Sequence, residues 1–319
     1  MKLWHVEMMD EIVTLDIGRI TILKGSHKKW FRIARRIQDF FSNRTSEVKI
    51  YEDGQLINKG DWECFMLPYN ESIHLDKINS KSPLQFIHEK IVDSLVSSPQ
   101  YEAILEEWEI LKEEEEVINK MILEKFDLQF ELKEFDAPYL KDFIVLSSKK
   151  GMLTPIDIKI LALKLLLEKE LMKRLLIIVE LPELYAEEHE LGELLFLLNQ
   201  LVNRGCMVMM ITNIDDIKGR KNWILKGKVV NEAKLEMLKS KVFNTVPLPI
   251  DNEDFLIAKD FLLSSVDKVS LKKDFSLDLR DIHNKQIVIL YIILKLLGIE
   301  WKVDFTTFPA NLRKFFAGY

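Results

Sequence analysis

Two apolar runs joined by an amphipathic segment constrain the fold of this 319-residue chain more than any other feature. Residues 175–180 and 206–212 are almost continuously apolar. They lack the apolar–polar alternation of a strand that has one face exposed to solvent. Such runs are typical of strands covered on both faces, and the crossover between two parallel strands is right-handed. The residues between them have the spacing of an amphipathic helix that ends at Gly205. The chain is therefore predicted to be an α/β protein with a mainly parallel sheet.

The first apolar run continues into Val-Glu-Leu-Pro-Glu-Leu over residues 179–184. This resembles the strand end of P-loop ATPases of the ABC class, where a magnesium-binding aspartate precedes a catalytic glutamate. Matching Pro-Glu-Leu puts Glu180 in the aspartate position and Leu181 in the glutamate position, and leucine can neither orient water nor accept a proton. Asn213 stands where that class has its switch histidine. We therefore expect an ATPase-like frame without enzyme activity.

A helix is predicted from Lys28 to residue 41, after the strand predicted at 20–24. The segment between them lies where a phosphate-binding loop would be. The motif G-x-x-x-x-G-K-[ST] needs a second glycine so that backbone amides wrap the phosphates, and a Lys followed by Ser or Thr. Gly25-Ser26-His27-Lys28-Lys29 has one glycine, no following Ser or Thr, and a shorter loop. No bound nucleotide is expected. A divergent ABC-like ATPase or nucleotide-gated regulator that uses Glu180 remains the alternative.

The character of the chain changes after Pro83, where a long glutamate-rich helical pattern covers residues 101–126. Alternation over residues 127–135 predicts a strand, and residues 139–146 predict a short return helix. Apolar runs predict further strands at 223–230 and 242–250, and residues 287–297 a strongly apolar helix. The predicted domains are the first half of a head (1–82), an inserted helical leg (83–153), the second half of the head (154–267) and a C-terminal extension (268–319).

Composition indicates a cytoplasmic protein that does not enter a membrane. The two cysteines have no metal or disulfide spacing, which favours a reducing compartment. No targeting pattern opens the chain, and the longest apolar block, residues 287–294, is far below the roughly 18 residues of a membrane span. The formal net charge is -6, yet residues 19–44 are strongly basic and 101–116 strongly acidic. A local basic face can bind nucleic acid although the whole chain is acidic.

The order of these segments resembles the accessory spacer-acquisition (adaptation) protein family of type II-A CRISPR-Cas systems, and more specifically its longer branch. The resemblance covers roughly residues 1–267. It rests on the order and spacing of three segments: Gly-Arg-Ile-Thr-Ile-Leu (18–23) before a defective loop, Phe-Asp-Leu-Gln-Phe-Glu (126–131) after the long helix, and Lys-Arg-Leu-Leu-Ile-Ile-Val (173–179) leading into the sheet.

The resemblance implies a degenerate P-loop (ABC ATPase-like) head with a helical leg, assembled as a homotetrameric ring. The ring would take linear double-stranded DNA, especially its ends, through a basic central hole, and would act in antiviral defence. Calcium ions would bind acids near the leg. The implied partners are the CRISPR integrase proteins and the guide-RNA effector nuclease of the same locus.

Candidate DNA-binding residues are the cations that could contact phosphates without reading bases: Lys28, Lys29, Arg32, Arg35, Arg36, Lys149, Lys150, Lys169, Lys173 and Arg174. A solvated helix face would carry the same residue types, and both interpretations stay open. Glu124, Asp127 and Glu131 are the candidate calcium ligands, because hard cations need acids that converge from several segments. Glu180 is either a vestigial metal ligand or a structural carboxylate. A protein scaffold without DNA contact is the third functional interpretation.

Overall fold

The computed structural model describes residues 2–70, 85–149, 151, 153–269, 282–301 and 308–318. The chain divides into two compact units, one made of Met1–Glu71 with Leu171–Tyr319 and the other of Ser72–Glu170. The division places residues 154–170, assigned above to the head, in the second unit. The boundaries of head, leg and extension stay a prediction.

The first unit contains strands and helices, and the described elements of the second unit are helices. The strands are β1 (Lys2–Met8), β2 (Glu11–Ile17), β3 (Ile20–Lys24), β4 (Lys49–Glu52), β5 (Gln55–Leu56), β6 (Trp62–Leu67), β7 (Arg174–Glu180), β8 (Met207–Thr212), β9 (Arg220–Leu225) and β10 (Lys228–Asn231). The helices are α1 (Lys28–Ser42), α2 (Gln85–Val96), α3 (Pro99–Phe126), α4 (Ala137–Phe143), α5 (Pro155–Glu168), α6 (Glu188–Asn203), α7 (Glu232–Thr245), α8 (Asn252–Val269), α9 (Asn284–Leu296) and α10 (Ala310–Gly318).

The main sheet of the first unit has the order β10-β9-β3-β8-β7-β6, and only β10 runs antiparallel to its neighbour. The two apolar runs form β7 and β8, which pair in parallel with Ile178 opposite Met209, and α6 connects them. The prediction of an α/β fold with a mainly parallel sheet is confirmed. A second sheet, β2-β1-β4-β5, is antiparallel.

Helix α1 joins the two sheets in one hydrophobic core. Its apolar residues recur at helical spacing, and Trp30, Ile33 and Ile37 are fully buried. They share the core with Trp4 of β1 and Ile178 of β7. Because the strands of the parallel sheet are held by this core on one face, the ends of β3, β7 and β8 have fixed relative positions.

The C-terminal residues supply the middle of a second core. Helix α9 is buried on all sides, and Val288, Ile289 and Ile293 are each 0% exposed. They pack in one cluster with Trp223 of β9 and Phe255 of α8. A helix that is apolar all round has to be covered all round, so α9 is an integral part of the first unit.

The strand predicted at 242–250 is wrong, because residues 232–245 form α7 and the residues after it take no regular structure. The side chain of Asn231 accepts from the Lys234 amide and starts the helix, and Leu235 and Val242, seven positions apart, are buried on one face. A short apolar run allows both strand and helix, and the cap and the core together select the helix.

The second unit is helical, and the strand predicted at 127–135 is also wrong. This segment has no regular secondary structure, and its backbone bonds to side chains of α3. The Asn119 amide donates to the Phe130 carbonyl at 2.7 Å and accepts from the Phe130 amide at 2.9 Å, and Glu115 accepts from the Leu132 amide at 2.9 Å. The polar alternation predicted a strand, whereas the hydrogen-bond partners of this segment belong to a helix.

Of the helices that the structure describes, none combines the length and the apolar character that crossing a bilayer requires.

Candidate functional site

The carboxyl ends of the parallel strands meet at one edge of the main sheet, which is where nucleotides bind in folds of this class. Lys24 ends β3, Glu180 ends β7 and Thr212 ends β8. The three residues lie on neighbouring strands and are nearly or completely buried. A phosphate-binding site, if the chain had one, would be expected at this edge.

The ammonium group of Lys24 is held inside the protein. Its side chain is 4% exposed, and Nζ donates to the Asn213 carbonyl at 2.8 Å and forms an ion pair with Asp215. The Lys24 ammonium lowers the pKa of Asp215, which keeps that carboxylate charged at neutral pH. A cation at the end of β3 is thus neutralised by the protein itself, and the sequence motifs did not identify this residue.

The loop between β3 and α1 is short, and its polar groups are occupied. Gly25 has a φ of 89°, a conformation that favours glycine, and its amide donates to the Thr212 carbonyl at 2.9 Å. The indole of Trp30 donates to the Lys24 carbonyl at 2.8 Å from a fully buried position. The expectation of a defective phosphate loop agrees with this geometry.

The first turn of α1 uses its own cap. His27 Nδ1 accepts from the Lys29 amide at 3.1 Å, and the His27 carbonyl accepts from the Trp30 amide at 2.8 Å. Burial and the neighbouring charges of Lys28 and Lys29 lower the pKa of His27, so the ring is neutral at pH 7 and can accept. These two amides are therefore not free to bind an anion.

Glu180 is fully buried, and its carboxylate is bonded within the protein. Oε2 accepts from the Tyr69 amide at 3.3 Å, and Oε1 lies 3.5 Å from Nε of Arg35. A carboxylate with an amide and a guanidinium as partners needs no metal ion to be stable in the interior. The structural interpretation of Glu180 therefore fits its contacts better than a vestigial metal ligand.

Glu183 lies three residues after Glu180 and was not among the residues predicted from the motifs. It accepts from the Thr212 hydroxyl at 2.9 Å, the Asn213 amide at 2.8 Å and the Asn213 side chain at 3.0 Å. Glu183 thus holds the end of β8 in place. Its position in Pro-Glu-Leu was the available signal, but the sequence did not show which backbone it binds.

The basic residues predicted on α1 fall into two groups. Three are engaged by acids of the same unit: Lys29 with Glu11, Arg32 with Asp10 and Glu11, and Arg35 with Glu180. The side chains of Lys28 and Arg36 are exposed. Within the described residues, neither side chain forms a hydrogen bond or an ion pair. The helix face therefore carries less uncompensated positive charge than its sequence suggests.

The other predicted cations are spread over both units. Lys173 and Arg174 are exposed at the amino end of β7, and the Arg174 guanidinium lies 5.6 Å from the Trp62 ring centre. In the second unit Lys149 is exposed, and Lys169 is half-buried at the end of α5. Lys150 lies outside the described residues. The predicted cations of the first unit thus lie on α1 and at the start of β7.

The predicted calcium ligands are all exposed in the second unit. Glu124 is in the last turn of α3, Asp127 caps that helix with a φ of 56°, and Glu131 follows in segment 127–135. Across the described part of the chain, no three or more His, Cys, Asp or Glu side chains converge in a way that could hold a metal ion. The three acids do not fit a calcium site, and calcium stays a prediction without a ligand set.

The surroundings of the two cysteines do not favour a reactive thiolate. Burial raises the pKa of Cys64 to about 12, and burial also raises the pKa of Cys206. A thiol with a raised pKa is a poor nucleophile at neutral pH. Neither thiol is therefore expected to act as a nucleophile at neutral pH.

No protein-family model and no curated protein sequence matches this chain. Among solved structures, Stu0660 of Streptococcus thermophilus is similar with a TM-score of 0.57 and 16% identity, over 98% of this chain and 99% of that one. At this identity the similarity shows a shared fold, and it extends over nearly the full length of both chains.

Two ATP-binding cassette structures are more distantly similar. The cassette MJ0796, in a dimer bound to ADP and Pi, has a TM-score of 0.36 and 10% identity over 72% of this chain and 98% of its own. CbiO1 of Clostridium perfringens, part of the ABC transporter complex CbiONQ, has a TM-score of 0.31 and 14% identity over 75% and 87%. Similarity at this level carries no argument about nucleotide binding.

Proposed function

We propose that this chain binds double-stranded DNA, preferentially at linear ends, without catalysing a reaction, and that it acts in CRISPR spacer acquisition. The supporting observation is the closed carboxyl edge of the sheet. There the Lys24 ammonium is bonded to Asp215 and the Asn213 carbonyl, and Glu180 is buried against Arg35. Because this cation and this carboxylate are paired within the protein, the geometry of the edge favours a non-enzymatic role.

The DNA-binding part of the proposal is supported by the resemblance of the sequence and by exposed cations of the first unit, among them Lys28, Arg36 and Lys173. Cations of this kind contact phosphates whatever the base sequence, and each contact releases a counterion. We therefore expect affinity that depends steeply on salt and little on sequence.

The test compares one duplex in linear and covalently closed circular form across a salt series, with the mass of the protein measured in parallel. A tetramer that retains only the linear form supports an end-threading ring. A monomer that is indifferent to both forms contradicts the proposal. Repeating the mass measurement with calcium and with EDTA tests whether calcium supports the assembly.

The partners that the resemblance implies, the integrase proteins and the guide-RNA effector nuclease, belong to the same proposal. Mixing the purified protein with each of them on a linear duplex, and separating the mixture by size, tests each pairing. Co-elution on DNA supports the assignment to spacer acquisition, whereas DNA binding without either partner limits the proposal to DNA binding alone.

A further inference from the structure

Exposed cations precede three neighbouring strands of the main sheet at its amino edge. Arg19 comes directly before β3, Arg204 lies in the turn before β8, and Lys173 with Arg174 begins β7. Strands β3, β8 and β7 are adjacent. The Val208 amide donates to the Arg19 carbonyl at 2.8 Å, which places Arg19 beside the start of β8. We call these residues the amino-edge row: Arg19, Arg204, Lys173 and Arg174.

Part of the amino-edge row lines a concave surface. A cleft of about 590 Å³ opens between the turn before β6, the start of β7 and the turn before β8. Its described lining includes Lys173, Arg174 and Arg204 and a single acid, Asp61, which accepts from the Asn58 side chain at 3.1 Å. The Trp62 ring lies 5.6 Å from the Arg174 guanidinium, and such stacking restricts its orientation. The cleft is therefore a positively charged concavity with at least one oriented cation.

The spacing of the row matches a nucleic-acid backbone. Neighbouring strands of a sheet are about 4.8 Å apart, so three of them spread the row over roughly 10 Å. Phosphates of one DNA strand advance about 3.4 Å along the helix axis, so about three of them cover this length. The described lining of the cleft has no aromatic side chain, whereas proteins that bind single strands stack bases on aromatic rings. The surface fits the backbone of a duplex better than an unpaired strand.

We infer that the amino-edge row is a surface by which this chain binds the phosphates of double-stranded DNA, an inference that rests on the proposed function. Arg19 and Lys173 have no hydrogen bond or ion pair with another side chain in the part of the chain that the structure describes. On α1, by contrast, Lys29, Arg32 and Arg35 are engaged by acids. A phosphate that approaches the Arg19 or Lys173 side chain therefore displaces no partner among the described side chains.

The test uses two double variants of the full chain that remove the same charge. Arg19→Gln with Lys173→Gln changes the amino-edge row, and Lys49→Gln with Lys241→Gln changes two exposed cations elsewhere in the first unit as the control. Binding to a linear duplex of about 30 base pairs is measured by fluorescence anisotropy at roughly 50 to 300 mM salt. Melting temperatures establish that both variants are folded, which is expected because all four side chains are exposed.

We expect the amino-edge variant to lower the slope of log K against log salt by about 1.8 and to bind at least roughly tenfold more weakly at 100 mM salt, because each phosphate contact contributes about 0.9 to the slope. The control with Lys49 and Lys241 replaced is expected to retain the wild-type slope. A reduced slope in the control alone, or equal losses in both variants, overturns the inference and leaves the proposed function standing. Failure of the wild-type protein to bind any duplex contradicts the proposed function itself.

Discussion

At the scale of single residues, the partners of buried charges account for the closed carboxyl edge of the sheet. Lys24 and Glu180 end β3 and β7, the two strands on either side of β8, at the edge where folds of this class bind nucleotides. Each has its partners in the protein, Lys24 in Asp215 and the Asn213 carbonyl and Glu180 in Arg35. A buried charge that is already paired has little to gain from a ligand.

Replacing Lys24 with methionine is expected to lower the free energy of unfolding by about 1–3 kcal/mol, because two bonds to a buried charged group are lost. Urea denaturation measures the change. Lys28→Met is the matched control at an exposed position, where we expect a change within about 0.5 kcal/mol. Equal effects of the two substitutions would contradict the structural role of Lys24.

Asp16 predicts a change of stability with pH. It is 1% exposed, Oδ1 has no hydrogen-bond partner among the described residues, and Arg220 Nε is 4.0 Å away. Burial raises the pKa of Asp16 despite the opposing charge of Arg220. The folded state therefore binds the proton more tightly than the unfolded state, and wild-type stability falls as pH rises from 3.8 through the raised pKa.

Asp16→Asn removes this dependence and is expected to stabilise the protein at pH 7 by about 1 kcal/mol. The advantage should shrink toward pH 4, where the wild-type carboxyl takes up its proton. Thermal unfolding of both proteins between these pH values measures it, with Asp216→Asn as the exposed control. A stability difference that does not vary with pH would refute the assignment to Asp16.

At the scale of elements, helices and irregular segments take their places from non-local contacts. Helix α9 is surrounded by apolar side chains of the first unit, and segment 127–135 bonds to side chains of α3. The first case shows why an apolar helix late in the chain is part of a core. The second shows why polar alternation without a neighbouring strand does not make a sheet.

Ile289→Ala is expected to lower the free energy of unfolding by about 2–5 kcal/mol, because it leaves a cavity at a position that is 0% exposed. Leu296→Ala in the same helix removes a side chain that is 37% exposed, and we expect less than about 1 kcal/mol. Chemical denaturation distinguishes the two. Comparable losses would show that α9 is not packed as described.

Asn119→Ala should release segment 127–135, because both backbone groups of Phe130 lose their partner. Hydrogen exchange at the Phe130 amide is the direct measurement, and we expect it to be at least roughly tenfold faster than in the wild type. Lys120→Ala at the next, exposed position of α3 is the control. Unchanged exchange in Asn119→Ala would contradict the packing of segment 127–135 on α3.

At the scale of the whole molecule, charge is distributed in a way that the net value of -6 conceals. Much of the basic face of α1 is neutralised by acids, while the amino-edge row is exposed. A ligand that neutralises the row without unfolding the chain should stabilise it, whereas the charges of Lys24 and Glu180 at the carboxyl edge are already paired within the protein.

A linear duplex at about 100 times its dissociation constant is therefore expected to stabilise the folded chain by about 2.7 kcal/mol. Millimolar ATP with magnesium is expected to leave the melting temperature unchanged. Thermal shift with each ligand measures both effects, and high salt is the control because it should abolish the first. A shift with ATP alone would support the nucleotide-gated alternative.

The parallel β-α-β unit and the mismatch with the phosphate-loop motif are readable from the amino-acid sequence, because apolar periodicity and residue identity are local properties. Which cations are available depends on the folded structure. Lys24 meets Asp215 191 positions later, and Arg35 meets Glu180 145 positions later. Ion pairing and burial depend on residues that are far apart in the chain. The folded sheet therefore reveals the amino-edge row, which brings together segments that no single motif contains.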